Sequence, residues 1–109
     1  MNEPIVLSGF SNSDLTDLRY KLDPEDYSNS CIELTLRNRE GLSRHLRFDQ
    51  ITNLRIDSEF SGCLNGMIII DISSRQWSNA KIEVANFEQD PGITFLAQKM
   101  EVLLDEFNT

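Results

Sequence analysis

The run Met67–Ile72 limits the fold more than any other stretch, because it is rich in β-branched residues and lacks an alternating polar face. Side chains alternate between the two faces of a strand, which gives two apolar sets: Met67 with Ile69, and Ile68 with Ile70 and Ile72. A strand with one face in water would instead alternate apolar and polar residues. The run therefore predicts an interior strand. Its two faces are covered either by the protein's own layers or, on one side, by a second copy or another protein.

The dipeptide Asn65-Gly66 stands directly before this run and predicts the turn of a hairpin. Both central positions of a two-residue type I′ turn need a positive φ, which Asn and Gly tolerate best. The turn would join Phe60–Leu64 to Met67–Ile72, with Gly62 opposite Ile69.

A second hairpin is predicted between Cys31–Arg37 and Leu42–Phe48, where apolar and polar residues alternate. The apolar faces of the two strands coincide if the loop has three residues, 38–40, with Gly41 in the left-handed conformation that such loops favour. Arg44 falls on the apolar face, so we expect it where that face ends or frays.

The remaining segments predict shorter elements. Ile5–Leu7 reads as an edge strand after Pro4, Ser13 could cap a short helix through Leu18, and Ala80–Phe87 reads as a strand. Residues 94–107 fit two structures. We favour a strand from Ile93 to about Met100 with a helical or frayed end, and a full C-terminal helix is the alternative.

The chain of 109 residues fits a single globular domain, residues 1–109. Its closely spaced strand and turn signals predict a mainly β, antiparallel, hairpin-rich sandwich or curved sheet with one or two short helices. The alternative is an α+β fold whose C-terminal helix packs on the sheet.

The net charge of −8 disfavours nucleic acid and anionic membranes as partners, because both reward a basic surface. The charge is uneven: residues 37–47 hold four arginines and one glutamate, a net +3, which leaves −11 for the rest. No run reaches the roughly 20 apolar residues of a membrane span, and no basic region precedes an apolar one at the N-terminus. These features predict a cytoplasmic protein, in which Cys31 and Cys63 would be free thiols.

The sequence offers little catalytic chemistry. His45 is the one histidine, no nucleophile motif accompanies it, and no phosphate-binding glycine loop, calcium loop or zinc spacing occurs. We therefore predict no enzyme activity, no cofactor and no metal.

Two groups of residues are candidate binding sites. Arg37, His45 and Arg47 should project from the polar face of the second hairpin with Arg39 at its turn, where they could dock an acidic ligand or merely form ion pairs with Glu33 and Asp49. Arg75 and Trp77 resemble the composition of interface hot spots, although Trp77 could instead fold back over the sheet.

The leading hypothesis is a small acidic, non-catalytic domain that binds a protein partner or itself. The alternative is an acidic inhibitor or immunity-type protein that masks a basic partner. A third hypothesis is an enzyme or small-ligand binder that uses His45 and the arginines.

Overall fold

The computed structural model describes residues 4–7, 10, 13–26, 29–62, 67–77, 80–86 and 92–107. In these ranges nine strands are present: β1 (Ile5–Leu7), β2 (Ser13–Lys21), β3 (Cys31–Asn38), β4 (Ser43–Asp49), β5 (Thr52–Ile56), β6 (Met67–Asp71), β7 (Ile82–Asn86), β8 (Ile93–Ala97) and β9 (Lys99–Asp105). One short 3-10 turn, Ser73–Arg75, follows β6. The predicted mainly β, antiparallel class is confirmed, and the α+β alternative is wrong.

The strands form two antiparallel sheets that enclose one main core. One sheet has the order β1-β6-β7-β8-β5 and the other the order β2-β3-β4-β9. Both sheets contribute buried side chains to this core, and the rings of Phe48 and Phe95 meet edge to face with centroids 4.9 Å apart. The face of each sheet toward this core is called its inner face below, and the opposite face its outer face.

The chain passes from one sheet to the other after β1, after β4 and after β8, and the last two crossings are neighbours. It leaves β4 through Gln50, which has a φ of 57°, and it leaves β8 through Gln98. The N–H of Gln98 donates a hydrogen bond of 3.0 Å to the carbonyl of Asp49, which ties the two crossings together. β8 and β9 therefore belong to different sheets although one residue separates them.

The prediction that Met67–Ile72 forms an interior strand is confirmed for Met67–Asp71, because β6 pairs with β1 on one side and β7 on the other, whereas Ile72 lies just past the strand. Met67 and Ile69 are buried in the main core. On the outer face Ile70 and Ile68 are only half-buried, and Ile72 is buried in a small second cluster with Ala80 and Leu96. Coverage by the protein's own layers is thus complete on one face and partial on the other.

The predicted hairpin partner of β6 is wrong over the described residues. Residues 60–62 form no strand, and Ile69 lies opposite Leu7 and Val84 rather than Gly62. Both observed neighbours offer apolar cross-strand contacts, which a glycine cannot supply. The predicted Asn65-Gly66 turn lies outside the described residues.

The β3–β4 hairpin has coincident apolar faces as predicted, with Leu34 opposite Leu46. The loop is residues 39–41, one position further along than expected, and Gly41 has a φ of 84°. Asn38 explains the shift. Its side-chain oxygen accepts hydrogen bonds of 3.0 Å from the N–H groups of Glu40 and Leu42, which keeps Asn38 as the last residue before the turn.

Arg44 does not lie at a frayed end, and that prediction is wrong. It is 1% exposed, and it forms two hydrogen bonds to the carboxylate of Asp105, at 3.0 and 3.3 Å. The guanidinium also lies 4.3 Å from the ring centroid of Phe107 and 5.4 Å from that of Phe10. Pairing of β4 with β9 puts Asp105 opposite Arg44, and this long-range partner makes burial of the charge tolerable.

The predicted strand from Ile93 to about Met100 corresponds to β8 and the beginning of β9, but the two stretches for which a helix was considered are also strands. Ser13–Lys21 is β2, and Lys99–Asp105 is β9, so neither the short helix nor a helical C-terminal end forms there. A bulge between Leu15 and Asp17 explains the first error, because it lets Leu15 and Leu18 reach the same core although they are three residues apart. Residues three apart also share one face of a helix, so the spacing alone does not distinguish the two structures.

Candidate protein-binding surfaces

The outer face of the four-stranded sheet carries most of the predicted basic site. Thr35 lies opposite His45, Glu33 opposite Arg47 and Arg37 opposite Ser43, so Arg37, His45 and Arg47 share this face as predicted. Arg39 lies in the turn beyond it.

Carboxylates alternate with the basic groups on this face. One row across the sheet contains Arg19, Glu33, Arg47 and Glu101, whose charges alternate in sign. The hydrogen bond from Arg47 to Asp49, 3.2 Å long, raises the pKa of the arginine above its ordinary value. The ion pairs on this face neutralise most of its charge. This agrees with the alternative interpretation, in which the basic residues merely form ion pairs with neighbouring carboxylates.

The other members of the basic group stand apart. Arg37 and Arg39 are mostly exposed and make no ion pair with another described residue, while His45 is half-buried between Thr35 and Leu104. Within the described ranges, no three His, Cys, Asp or Glu side chains form a group that could hold a metal ion.

Arg75 and Trp77 form a compact cluster at the end of the 3-10 turn. The Arg75 guanidinium carbon lies 5.0 Å from the Trp77 ring centroid, within cation–π range. A nitrogen of the same guanidinium donates to Oε1 of Glu83 at 3.2 Å. Glu83 projects from β7, so this contact ties the loop to the five-stranded sheet.

The backbone around this cluster is held by its own hydrogen bonds. The N–H of Ser73 donates to Oδ1 of Asp71 at 2.9 Å, and the N–H of Gln76 donates to the carbonyl of Ser73 at 3.1 Å. Hydrogen bonds from the side chain and the N–H of Ser73 lower the pKa of Asp71 below its ordinary value. Gln76 adopts a left-handed conformation with a φ of 58°, which is uncommon for a residue other than glycine.

Trp77 borders a surface depression of about 230 Å³. The depression is lined by Asn53, Trp77, Glu83, Val84, Thr94, Phe95 and Leu96. Trp77 is 45% exposed, so it covers part of the sheet and also presents a large aromatic surface to solvent. The structure thus combines both alternatives proposed for this residue.

A wider hollow of about 460 Å³ lies where the chain crosses between the sheets, lined by Asn29, Asp49, Gln50, Lys81, Gln98 and Lys99. All of these residues are exposed or half-buried. Ligand sites typically have enclosed, largely apolar walls. This hollow has neither feature, so it is an open, solvated corner.

The edge formed by β9 is a further surface, which was not predicted from the sequence. Val102, Leu103 and Leu104 are 42%, 44% and 46% exposed, and β9 ends the described four-stranded sheet. The available signal was three consecutive apolar residues between Glu101 and Asp105. This signal was overlooked because Met100, Leu103 and Leu104 also recur at the spacing of a helix.

Comparison with known proteins gives no identification. No family model, no curated protein and no solved structure matches the chain. Among the described residues, no helix has the length and apolar character needed to cross a membrane.

Proposed function

We propose that the protein is a non-catalytic binding domain that docks a protein partner through Arg75, Trp77 and the adjoining depression. The observation that carries this proposal is Trp77, which stays 45% exposed while the Arg75 guanidinium lies over its ring. Tryptophan and arginine are the residue types most enriched among binding hot spots.

Preorganisation supports this surface. Binding costs less entropy when the contacting side chains are already ordered. Glu83 anchors Arg75, Arg75 stacks on Trp77, and the left-handed Gln76 fixes the chain between them. Strained backbone held by surrounding hydrogen bonds is common at functional sites, which adds weight to the assignment.

An acidic inhibitor that masks a basic partner is the second candidate, and the net charge of −8 favours it. The loop after β2 adds a fixed negative charge. The N–H of Glu25 and the side-chain amide of Asn29 both donate to the Asp23 carboxylate, which lowers the pKa of Asp23. A partner bound this way would dissociate as salt is raised, whereas one held mainly by Trp77 would be far less sensitive.

The test is affinity capture under crosslinking with three baits: the wild-type protein, Trp77→Ala and Tyr20→Ala. Tyr20 is the matched control, because it is a 39% exposed aromatic residue on the other sheet. We expect a partner that the wild-type and Tyr20→Ala baits retain and the Trp77→Ala bait loses.

Trp77 also gives a direct readout, since it is the one tryptophan of the chain. The purified partner should shift its emission to shorter wavelength and protect it from acrylamide. A partner retained equally by all three baits, or no partner at all, would count against this surface. A change in any measured activity on His45→Ala would instead support the third hypothesis. The cytoplasm remains the proposed compartment, which cell fractionation would test.

A further inference from the structure

The two edges of the four-stranded sheet differ in how they are protected. β2 carries four charged residues, Asp14, Asp17, Arg19 and Lys21, spread along its length between single apolar residues. Charges along an edge strand discourage pairing with another chain. β9 has charges at Lys99, Glu101 and Asp105, and its three consecutive exposed apolar residues, 102–104, lie uninterrupted between Glu101 and Asp105.

We propose that β9 is the contact between two copies of this chain, which pair edge to edge in antiparallel orientation. In this dimer the two four-stranded sheets form one continuous eight-stranded sheet. The pairing covers Val102, Leu103 and Leu104 of both copies and supplies partners for the outward backbone groups of each edge.

The distribution of charge along β9 selects a second copy as the occupant and fixes the orientation. Lys99 begins the strand, while Asp105 and Glu106 stand at its other end. Asp105 is paired with Arg44, and Glu106 accepts a hydrogen bond of 2.7 Å from the N–H of Ser43. Glu106 is therefore the carboxylate that the lysine of a second copy approaches. Antiparallel pairing brings the lysine of each copy toward the acidic end of the other. Parallel pairing would align like charges, which repel.

A bulge in β9 sets the register. Glu101 lies opposite Arg47 and Leu104 opposite His45, so both project from the outer face although they are three residues apart. A two-fold axis between Val102 and Leu103 places Glu101 of one copy opposite Leu104 of the other, on the same face. It also places Lys99 opposite Glu106.

The test is the solution mass of the chain, measured by sedimentation over a concentration series. The wild-type protein should move from 12.5 kDa to twice that mass as concentration rises. Leu103→Lys and Leu104→Lys should each raise the dissociation constant about tenfold or more, because they put a charge into the apolar centre. Leu22→Lys is the matched control, since Leu22 is 57% exposed beside the opposite edge, and it should leave the constant unchanged.

A second pair of variants tests the orientation. Lys99→Glu should raise the dissociation constant of the dimer several-fold more than Lys21→Glu, the control that makes the same change of net charge on β2. Added salt should reduce the difference between the two variants. Circular dichroism checks that each variant is folded. A chain that stays monomeric at every concentration would overturn the proposal, and so would a dimer that is indifferent to Leu103→Lys, Leu104→Lys and Lys99→Glu. The Trp77 surface lies on the other sheet, so its capture experiment succeeds or fails separately.

Discussion

At the scale of single residues, Arg44 shows how a buried charge is made tolerable. Its fork-shaped guanidinium matches the Asp105 carboxylate with two hydrogen bonds, and the rings of Phe10 and Phe107 flank it. Asp105 also accepts a hydrogen bond of 3.0 Å from the N–H of Phe107. The pair therefore ties the end of β9 to β4 inside the core.

Removing one partner of such a pair leaves an uncompensated charge away from water. We expect Arg44→Met to lower the free energy of unfolding by about 3 kcal/mol, measured by urea denaturation. The control is Arg47→Met, the same substitution on the same strand. The side chain of Arg47, which forms an ion pair with Asp49, is 43% exposed. This control should lower the free energy of unfolding far less, because an exposed ion pair contributes little to stability. Equal losses for the two variants would show that the buried pair contributes no more than the surface pair.

The sequence predicted the alternating inward residues around Arg44 but not the role of Arg44 itself. Ile32, Leu34 and Leu36 are all fully buried, as their period of two indicated. The fate of an arginine on such a face depends on whether a carboxylate lies opposite, and Asp105 is 61 residues away in the chain. No local pattern contains that information.

At the scale of elements, bulges explain why two strands, β2 and β9, carry a helical spacing of apolar residues. The register shifts in β2 and β9 place residues three apart on one face, a spacing that a helix also produces. Pairing with β3 and β4 supplies the backbone hydrogen bonds that decide between the two structures. The coincident apolar faces of the β3–β4 hairpin were predictable because they depend on local alternation, whereas the register was displaced by one loop position through the hydrogen bonds of Asn38.

The turn of this hairpin gives a prediction about Gly41. Its φ of 84° disfavours any residue with a Cβ, yet an added Cβ would meet no atom within 4 Å. Gly41→Ala should therefore cost only backbone strain, about 1–2 kcal/mol of unfolding free energy in urea denaturation. Gly41→Asn should cost clearly less, because Asn tolerates the left-handed region. An alanine variant as stable as the wild type would contradict the left-handed turn.

At the scale of the whole molecule, two sheets are closed face to face and leave distinct surfaces for partners. The sequence indicated the β class and an interior β6, but it did not indicate that β1 and β7 flank that strand. It predicted Arg75 and Trp77 as a pair and missed β9. Which edges stay open depends on long-range strand order, which hydrophobic periodicity does not encode.

The central claim is that β6 is an interior strand while β9 is an open edge that a second copy covers. Amide hydrogen exchange, followed residue by residue by NMR at low and high protein concentration, tests both halves at once. We predict slow exchange for amides 68–70 at both concentrations and slower exchange for amides 102–104 only at the higher one. Rapid exchange in β6, or exchange in β9 that is independent of concentration, would contradict the claim.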